Sequence, residues 1–403
     1  MPKLRDGVIK RGASWSYVIR VPDPATGVNK PRWVGGFATE ADAKAARDEA
    51  RVRARRGEYV NRSASTVAEY LVEWLEAHAT TVKPKTLAGY RHDIDHYILP
   101  RIGRMRLQAL RPAVISKLYR DLSEQGSRDG GPLSVSTISH IHRTLRKALA
   151  DAVDVEQVLA VNPAARSKRP KSTSTEPAQI WTVKQLGAFL DAARSHRLFA
   201  FYRLAAYTGA RRGELLYLRW SVLDLDAAEV TFGGSTAVVR GQRVEGTTKG
   251  GRSRTVSLDR DTVAILREHR RQQAEERLAA GSAWNDNGGL VFTTRWGEPL
   301  YPDTVTALMT KLINSHNRSA AAKASPLPHA RLHDLRHLHA TTLLLAGVPV
   351  HVVAARLGHA DPAVTLRVYS HVLREHAASI GDIFAGAVDA AVSKSVSKPG
   401  RQR

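Results

Sequence analysis

The 403-residue chain contains no cysteine. That excludes disulfides, thiolate-ligated zinc and a thiol nucleophile, and it fits a reducing compartment. Nowhere does an apolar run reach the roughly eighteen residues that a membrane-spanning helix needs. The opening MPKLRDGVIKRG is basic but lacks the apolar stretch of a secretory signal, so a cytoplasmic protein with no membrane partner is expected. Acidic residues are scarce beside basic ones: 38 Asp and Glu against 61 Lys and Arg, a formal net charge of +23. Such an excess implies a polyanionic partner through phosphate neutralisation and counterion release, a requirement that DNA, RNA or an anionic membrane surface would each meet. The remaining composition, 43% hydrophobic and 25% charged, is ordinary for globular protein, and the length suits two or three domains.

What is present sorts by period. GVIKRG, SWSYVIRV and PRWVGGF alternate as three short antiparallel strands do, with the turn PDPATGVNK before the last. Thr39, with Asp42 three residues on, opens an alanine-rich helix. The strands carry Lys10, Arg11, Arg20, Lys30 and Arg32 interleaved with Trp15, Tyr17 and Trp33. A sheet of that composition suits a DNA groove, although the aromatics can equally be the core of a tiny domain. From Val67 the period turns helical: Val67, Tyr70, Leu71, Trp74 and Leu75 mark one helix, residues 85–97 a second ended by Pro100 and Gly103, residues 112–125 a third, and Ser134 to Leu149 a fourth. Arg143 and Lys147 belong to the basic face of the last. NPAARSKRPKSTSTEP has no apolar period and reads as a linker. The expected organisation is a multidomain α+β chain: a three-stranded sheet plus helix over 1–62, a four-helix domain over 63–161, a linker over 162–177, a mostly α domain with a small antiparallel sheet over 178–392, and a disordered tail over 393–403.

Five segments of the third domain carry chemistry. Arg211 follows the break at Thr208 and Gly209 and starts a helix, where its guanidinium can face a phosphate beside the helix's free N–H groups, with Glu214 one turn on as its ionic partner. Strand-like alternation follows in EVTFGG, TAVVRGQRV and SRTVSL, and Lys249 sits in the glycine-flanked turn GTTKGGR, expected to be a hairpin tip. His333 and Arg336 share a face of the helix in RLHDLRHLHATTLLLAG, whose stop is Gly347. His333 and His337 have the spacing of zinc ligands, but the arginine between them and the missing third ligand argue against a metal. Leu357 and Gly358 close the next helix, His359 stands in the turn, and Asp361 with Pro362 starts another that brings Tyr369 back to its first face, two turns on. Two arginines, a lysine and two histidines can surround a phosphodiester with positive charge and donors, and a tyrosine beside them can attack it.

The order Arg, Lys, His-x-x-Arg, His, Tyr, carried by TGARRGELLYLRW, TTKGGRSRTVSL, HDLRH, LGHA and TLRVYSH, resembles the tyrosine recombinases, and the layout of the whole chain resembles their phage-type integrases. The resemblance implies an arm-type DNA-binding domain over 1–62, with Lys10, Arg11, Arg20 and Arg32 on DNA. It also implies a core-binding domain over 63–161, contributing Arg143 and Lys147, and a catalytic domain over 178–392. It implies Tyr369 as nucleophile, Lys249 as general acid, Arg211, Arg336 and His359 as stabilisers of phosphoryl charge, and His333 as proton-transfer and positioning group. Neither metal nor other cofactor is expected. The implied partners are double-stranded attachment sites, three further copies of the chain on DNA, and an excisionase or DNA-bending accessory protein. The last helix, with Ile380, Ile383, Phe384 and Val388 on one side, would dock on a neighbouring subunit or on its own domain. A type IB topoisomerase and a catalytically dead DNA-binding regulator remain the rival readings.

Overall fold

In a computed structural model the chain divides into two compact units, Met1–Thr175 and Glu176–Arg403. The structure describes residues 6–22, 28–55, 60, 63–171, 181–248, 251–286, 288–319, 326–363, 365–366, 384–385 and 388–389.

The first unit begins with an antiparallel sheet, order β1-β2-β3, of β1 (Val8–Arg11), β2 (Ser14–Pro22) and β3 (Asn29–Phe37). It packs on α1 (Glu40–Arg55), where Asp42 N–H donates to Thr39 Oγ1 at 3.1 Å and the Thr39 hydroxyl donates back to Asp42 at 2.7 Å. Register divides the expected DNA face in two. Opposed residues of an antiparallel pair share a face, and Lys10↔Trp15, Tyr17↔Val34 and Ile19↔Arg32 lie on the side that buries Tyr17, Ile19 and Val21 against α1. Arg11↔Ser14, Val18↔Trp33 and Arg20↔Pro31 lie on the open side. Arg11 there stacks 4.2 Å over the exposed Trp33 ring. Trp15 and Tyr17 are thus core, and Lys10 and Arg32 emerge from the helix-covered face.

The helical part of this unit contains α2 (Val67–His78), α3 (Pro84–Asp93), α4 (Leu99–Ile102), α5 (Pro112–Gln125) and α6 (Val135–Asp154). All five apolar residues that set the period of α2 are buried, and Thr66 with Glu69 closes its capping box. Pro100 does not end the second helix. A π turn, Ile94–Ile98, joins α3 to α4 and moves the Leu99 N–H onto Ile94 O, so the chain passes the proline without a broken helix and stops at Gly103. The presumed linker also starts later than its composition indicates. Pro163–Arg166 forms a 3-10 turn whose Ala164 is buried in the helical core, and Lys168 N–H donates to Ser116 Oγ at 2.9 Å. Beneath the basic face of α6, Lys147 bonds Asp151 at 2.6 and 2.8 Å while the Trp74 indole donates to the same carboxylate at 2.8 Å. Lys147, its side chain 49% exposed, is thus paired with Asp151, and Arg143 is likewise exposed.

The second unit runs α7 (Val183–Ala193), α8 (Phe199–Thr208), α9 (Arg212–Tyr217), β4 (Leu223–Asp224), β5 (Glu229–Phe232), β6 (Gly234–Val239), β7 (Gln242–Thr247), β8 (Arg254–Ser257), α10 (Arg260–Ala280), α11 (Pro302–Arg318), α12 (Leu332–Leu345) and α13 (Val350–Leu357). Its core gathers Phe189, Phe201, Tyr202, Phe232 and Phe292 with the inner leucines of α8, α9 and α12. The strands form two sheets rather than one: β4-β5-β8, and the hairpin β6-β7. Among the described residues β7 and β8 are not partners: β7 pairs with β6, and β8 with β5. Among the described residues no helix is long and apolar enough to cross a membrane.

Candidate active site

The site is built where α8 stops. Gly209 adopts φ 62° there, and a Cβ on it would meet Leu357 Cδ2 at 2.7 Å and His339 Cδ2 at 3.0 Å, so glycine lets α12 and α13 close onto the turn. Arg211 follows as the N-cap of α9. Its backbone N–H donates to Glu214 Oε2 at 2.8 Å, and its Nη1 donates to Oε1 at 3.0 Å. The expected Arg211–Glu214 pair forms, but it is not isolated. Arg254, on β8, grips the same carboxylate with both terminal nitrogens, at 3.0 Å to Oε1 and 2.6 Å to Oε2, while its Nε donates to Arg356 O at 2.9 Å. Glu214 is only 2% exposed. Burial opposes its charge, and the bonds and charge of Arg254 with those of Arg211 outweigh burial, holding the carboxyl below its ordinary range.

Arg336, 3% exposed, is the second guanidinium. Its Nη1 donates to Gly209 O at 2.7 Å, and its Nη2 donates to Leu357 O and to His359 Nε2, both at 2.8 Å. One side chain thereby joins the turn before Arg211 to the turn that carries His359. Arginine has only donors, so His359 Nε2 must accept; the ring proton is on Nδ1 and goes to Thr365 Oγ1 at 2.7 Å. Burial first, then the charges of Arg336, Arg211 and Arg254, push His359 down to about 4. His333 meets the His337 ring edge-on at 4.7 Å, and burial first, then His337, Arg336 and Arg211, hold it below its ordinary range. His339 accepts from Arg356 Nε at 3.1 Å and is pushed down to about 4 by burial and Arg356.

Arg211, His333, Arg336 and His359 are thus brought together. Asp361 caps the next helical segment through the Ala363 N–H at 2.8 Å, and residues 362–363 and 365–366 are helical. Lys249, Tyr369, Ile380 and Ile383 lie outside the described residues, as does the tail 393–403. The sequence reading missed Arg254, Arg356 and Thr365. For Arg254 a signal existed: in RTVS it shares strand parity with the buried Val256, and an arginine on the inward side of a strand requires a buried partner. The arrangement is two guanidiniums and neutral imidazoles around a helix N-terminus, a cluster suited to holding an anionic oxygen centre such as a phosphodiester.

Three family profiles match the chain: the phage integrase family over residues 180–376, the phage integrase N-terminal SAM-like domain over 66–123, and the Arm DNA-binding domain over 8–52. A tyrosine recombinase XerC-like protein of Caldanaerobacter subterraneus subsp. tengcongensis is 29% identical over 354 residues, covering 83% of this chain and 86% of its own. The ICEBs1 integrase of Bacillus subtilis is 27% identical over 377 residues, 92% of this chain and 95% of its own. The Tn1549 transposon integrase in complex with a circular intermediate DNA shares the fold, with a TM-score of 0.64 at 18% identity, over 76% of this chain and 95% of that one. The chain belongs to the tyrosine recombinase family of phage-type integrases, and is a site-specific DNA recombinase.

Proposed function

We propose that the chain cleaves and rejoins double-stranded attachment sites through a 3′-phosphotyrosine intermediate, and so integrates or excises a mobile element. Tyr369 Oη bonds to phosphorus as the bond to O5′ breaks; Lys249 gives O5′ its proton, and His333 assists removal of the tyrosine proton. Arg211 and Arg336 receive the charge that grows on the nonbridging oxygens. An arriving phosphate competes with His359 Nε2 for the Arg336 donor, which frees that imidazole to turn to the substrate. The phosphotyrosine bond keeps the energy of the broken link, so the 5′-hydroxyl of a partner strand religates without ATP. The DNA complexes of the Tn1549 integrase, and the lambda integrase tetramer on a Holliday junction, support duplex DNA as partner and a four-copy assembly. In the arm sheet, α1 covers one face, which leaves the face with Arg11, Arg20 and Trp33 for a groove. Lys10, Arg32, Arg143 and Lys147 would contact flanking phosphates.

The observation that carries this reading is the joint placement of Arg211, Arg336 and His359, with Arg336 bonded to both turns that flank them. The test is a nicked suicide duplex, incubated in chelator and run on a denaturing gel. A covalent adduct that maps to Tyr369, and that Tyr369→Phe abolishes with duplex binding intact, supports it. Equal loss of binding and adduct in Tyr369→Phe makes the tyrosine structural instead.

A further inference from the structure

Glu214 poses an electrostatic problem for the reading just given. It is buried, bonded to Arg211, and carries a full negative charge beside the guanidinium that must meet a phosphate. A lone Arg–Glu pair has no net charge and would present little attraction to an anion. Arg254 changes that balance: it takes both carboxylate oxygens at 3.0 and 2.6 Å in a fork that is itself 90% covered, its side chain being 10% exposed. The three side chains then carry a net charge of one positive unit, and Arg211, 34% exposed, is the member open to a ligand. The Arg254 Nε bond to Arg356 O at 2.9 Å, and the 2.8 Å approach of its Nη1 to where a Cβ of Gly358 would stand, tie the same residue to the turn before His359.

We propose that Arg254 is a positioning residue for strand cleavage: it neutralises Glu214 so that Arg211 keeps its charge for the scissile phosphate. The inference rests on the phosphate-binding role given to Arg211 above. It assigns function to a strand residue that touches no substrate itself.

The test is a double-substitution cycle in the full-length chain, read as the single-turnover rate of adduct formation. The probe is a nicked duplex selected from a randomised pool for adduct formation by the unsubstituted chain, used at saturating concentration. Arg254→Met is expected to slow cleavage by about 10- to 100-fold, approaching the loss typical of a removed oxyanion donor, with the concentration for half-saturation changed less than threefold. Glu214→Gln should recover most of that loss in the Arg254→Met background, because the charge needing neutralisation is gone. A merely structural tie predicts the opposite, a double variant slower than either single one, and that result overturns the proposal. If Arg254→Met does not fold, the comparison moves to Glu214→Gln with and without Arg254→Met, the double variant leaving neither member of the buried pair charged. Equal rates support the proposal, and a tenfold difference overturns it. Arg211→Ala serves as the reference: full activity there removes the reading of Arg211 itself, whereas an inactive Arg211→Ala beside a fully active Arg254→Met removes only the role of Arg254.

Discussion

Replacing Gly358 by alanine tests how rigidly the site is clamped. Gly358 closes α13 at φ 69°, and its added Cβ would stand 2.8 Å from Arg254 Nη1 and 3.1 Å from Cζ. Left-handed backbone costs an alanine about 1 kcal/mol or slightly more. The contact adds to this because Arg254 cannot step aside: it is held by Glu214 and by Arg356 O. Displacing it weakens at least one charge-assisted bond, about 2 kcal/mol, for a total of about 3 kcal/mol. In a unit of this size that is a fall in melting temperature of roughly 6–12 °C. Gly347 provides the control, since it has φ 81° and nothing within 4 Å of its Cβ position. Gly347→Ala should therefore show the backbone cost alone, about a third of the effect. Scanning calorimetry on the full-length chain, with adduct rates measured in parallel, separates the two. Equal melting shifts for Gly358→Ala and Gly347→Ala, with equal adduct rates, would refute the clamp.

Three further outcomes are expected. Arg336→Lys cannot span Gly209 O, Leu357 O and His359 with one ammonium; it should cost about 3 kcal/mol in urea unfolding and at least ~100-fold in adduct rate. A cost below 1 kcal/mol would show that the fork is dispensable. On acidification, His339 and His359, ordinarily near 6.5, stay neutral in the fold down to about 4, so the unfolded chain binds protons that the folded chain does not. Stability is then complete above pH 6.5 and drains as the pH falls toward 4; a melting temperature that is flat from 6.5 to 5 contradicts this. In the arm sheet, Arg20→Ala should weaken binding of arm-type duplex more than Lys10→Ala, as read by titration at fixed salt, because only Arg20 lies on the open face. The reverse order would move DNA to the other side of the sheet.

Local periodicity made much of the fold readable. Val67, Tyr70, Leu71, Trp74 and Leu75 announce α2 because a 3.6-residue repeat of large apolar groups has few other uses. The breaks at Gly209 and Gly358 were legible because a left-handed cap favours glycine so strongly. What escaped depends on partners distant in sequence. β5 pairs with β8 across the intervening hairpin β6-β7, a choice no strand announces by itself. The passage through Pro100 depends on a π turn that no propensity encodes. Arg336 was assigned by its spacing to His333, yet its burial and both carbonyl acceptors are tertiary. The basic residues of the arm were visible as a set, but their division between two faces needed the register.

The long reach of Arg336 has a consequence for how the chain is made. Its acceptors lie 127 residues behind it, at Gly209, and 21 ahead, at Leu357. Synthesis proceeds from the N-terminus, so the three-stranded sheet and the helical domain can fold while the ribosome is still building α10. The guanidinium socket cannot close until Leu357 and His359 have emerged, and the tyrosine follows ten residues later. On the function proposed above, a nascent or prematurely terminated chain holds DNA before it is able to cut it.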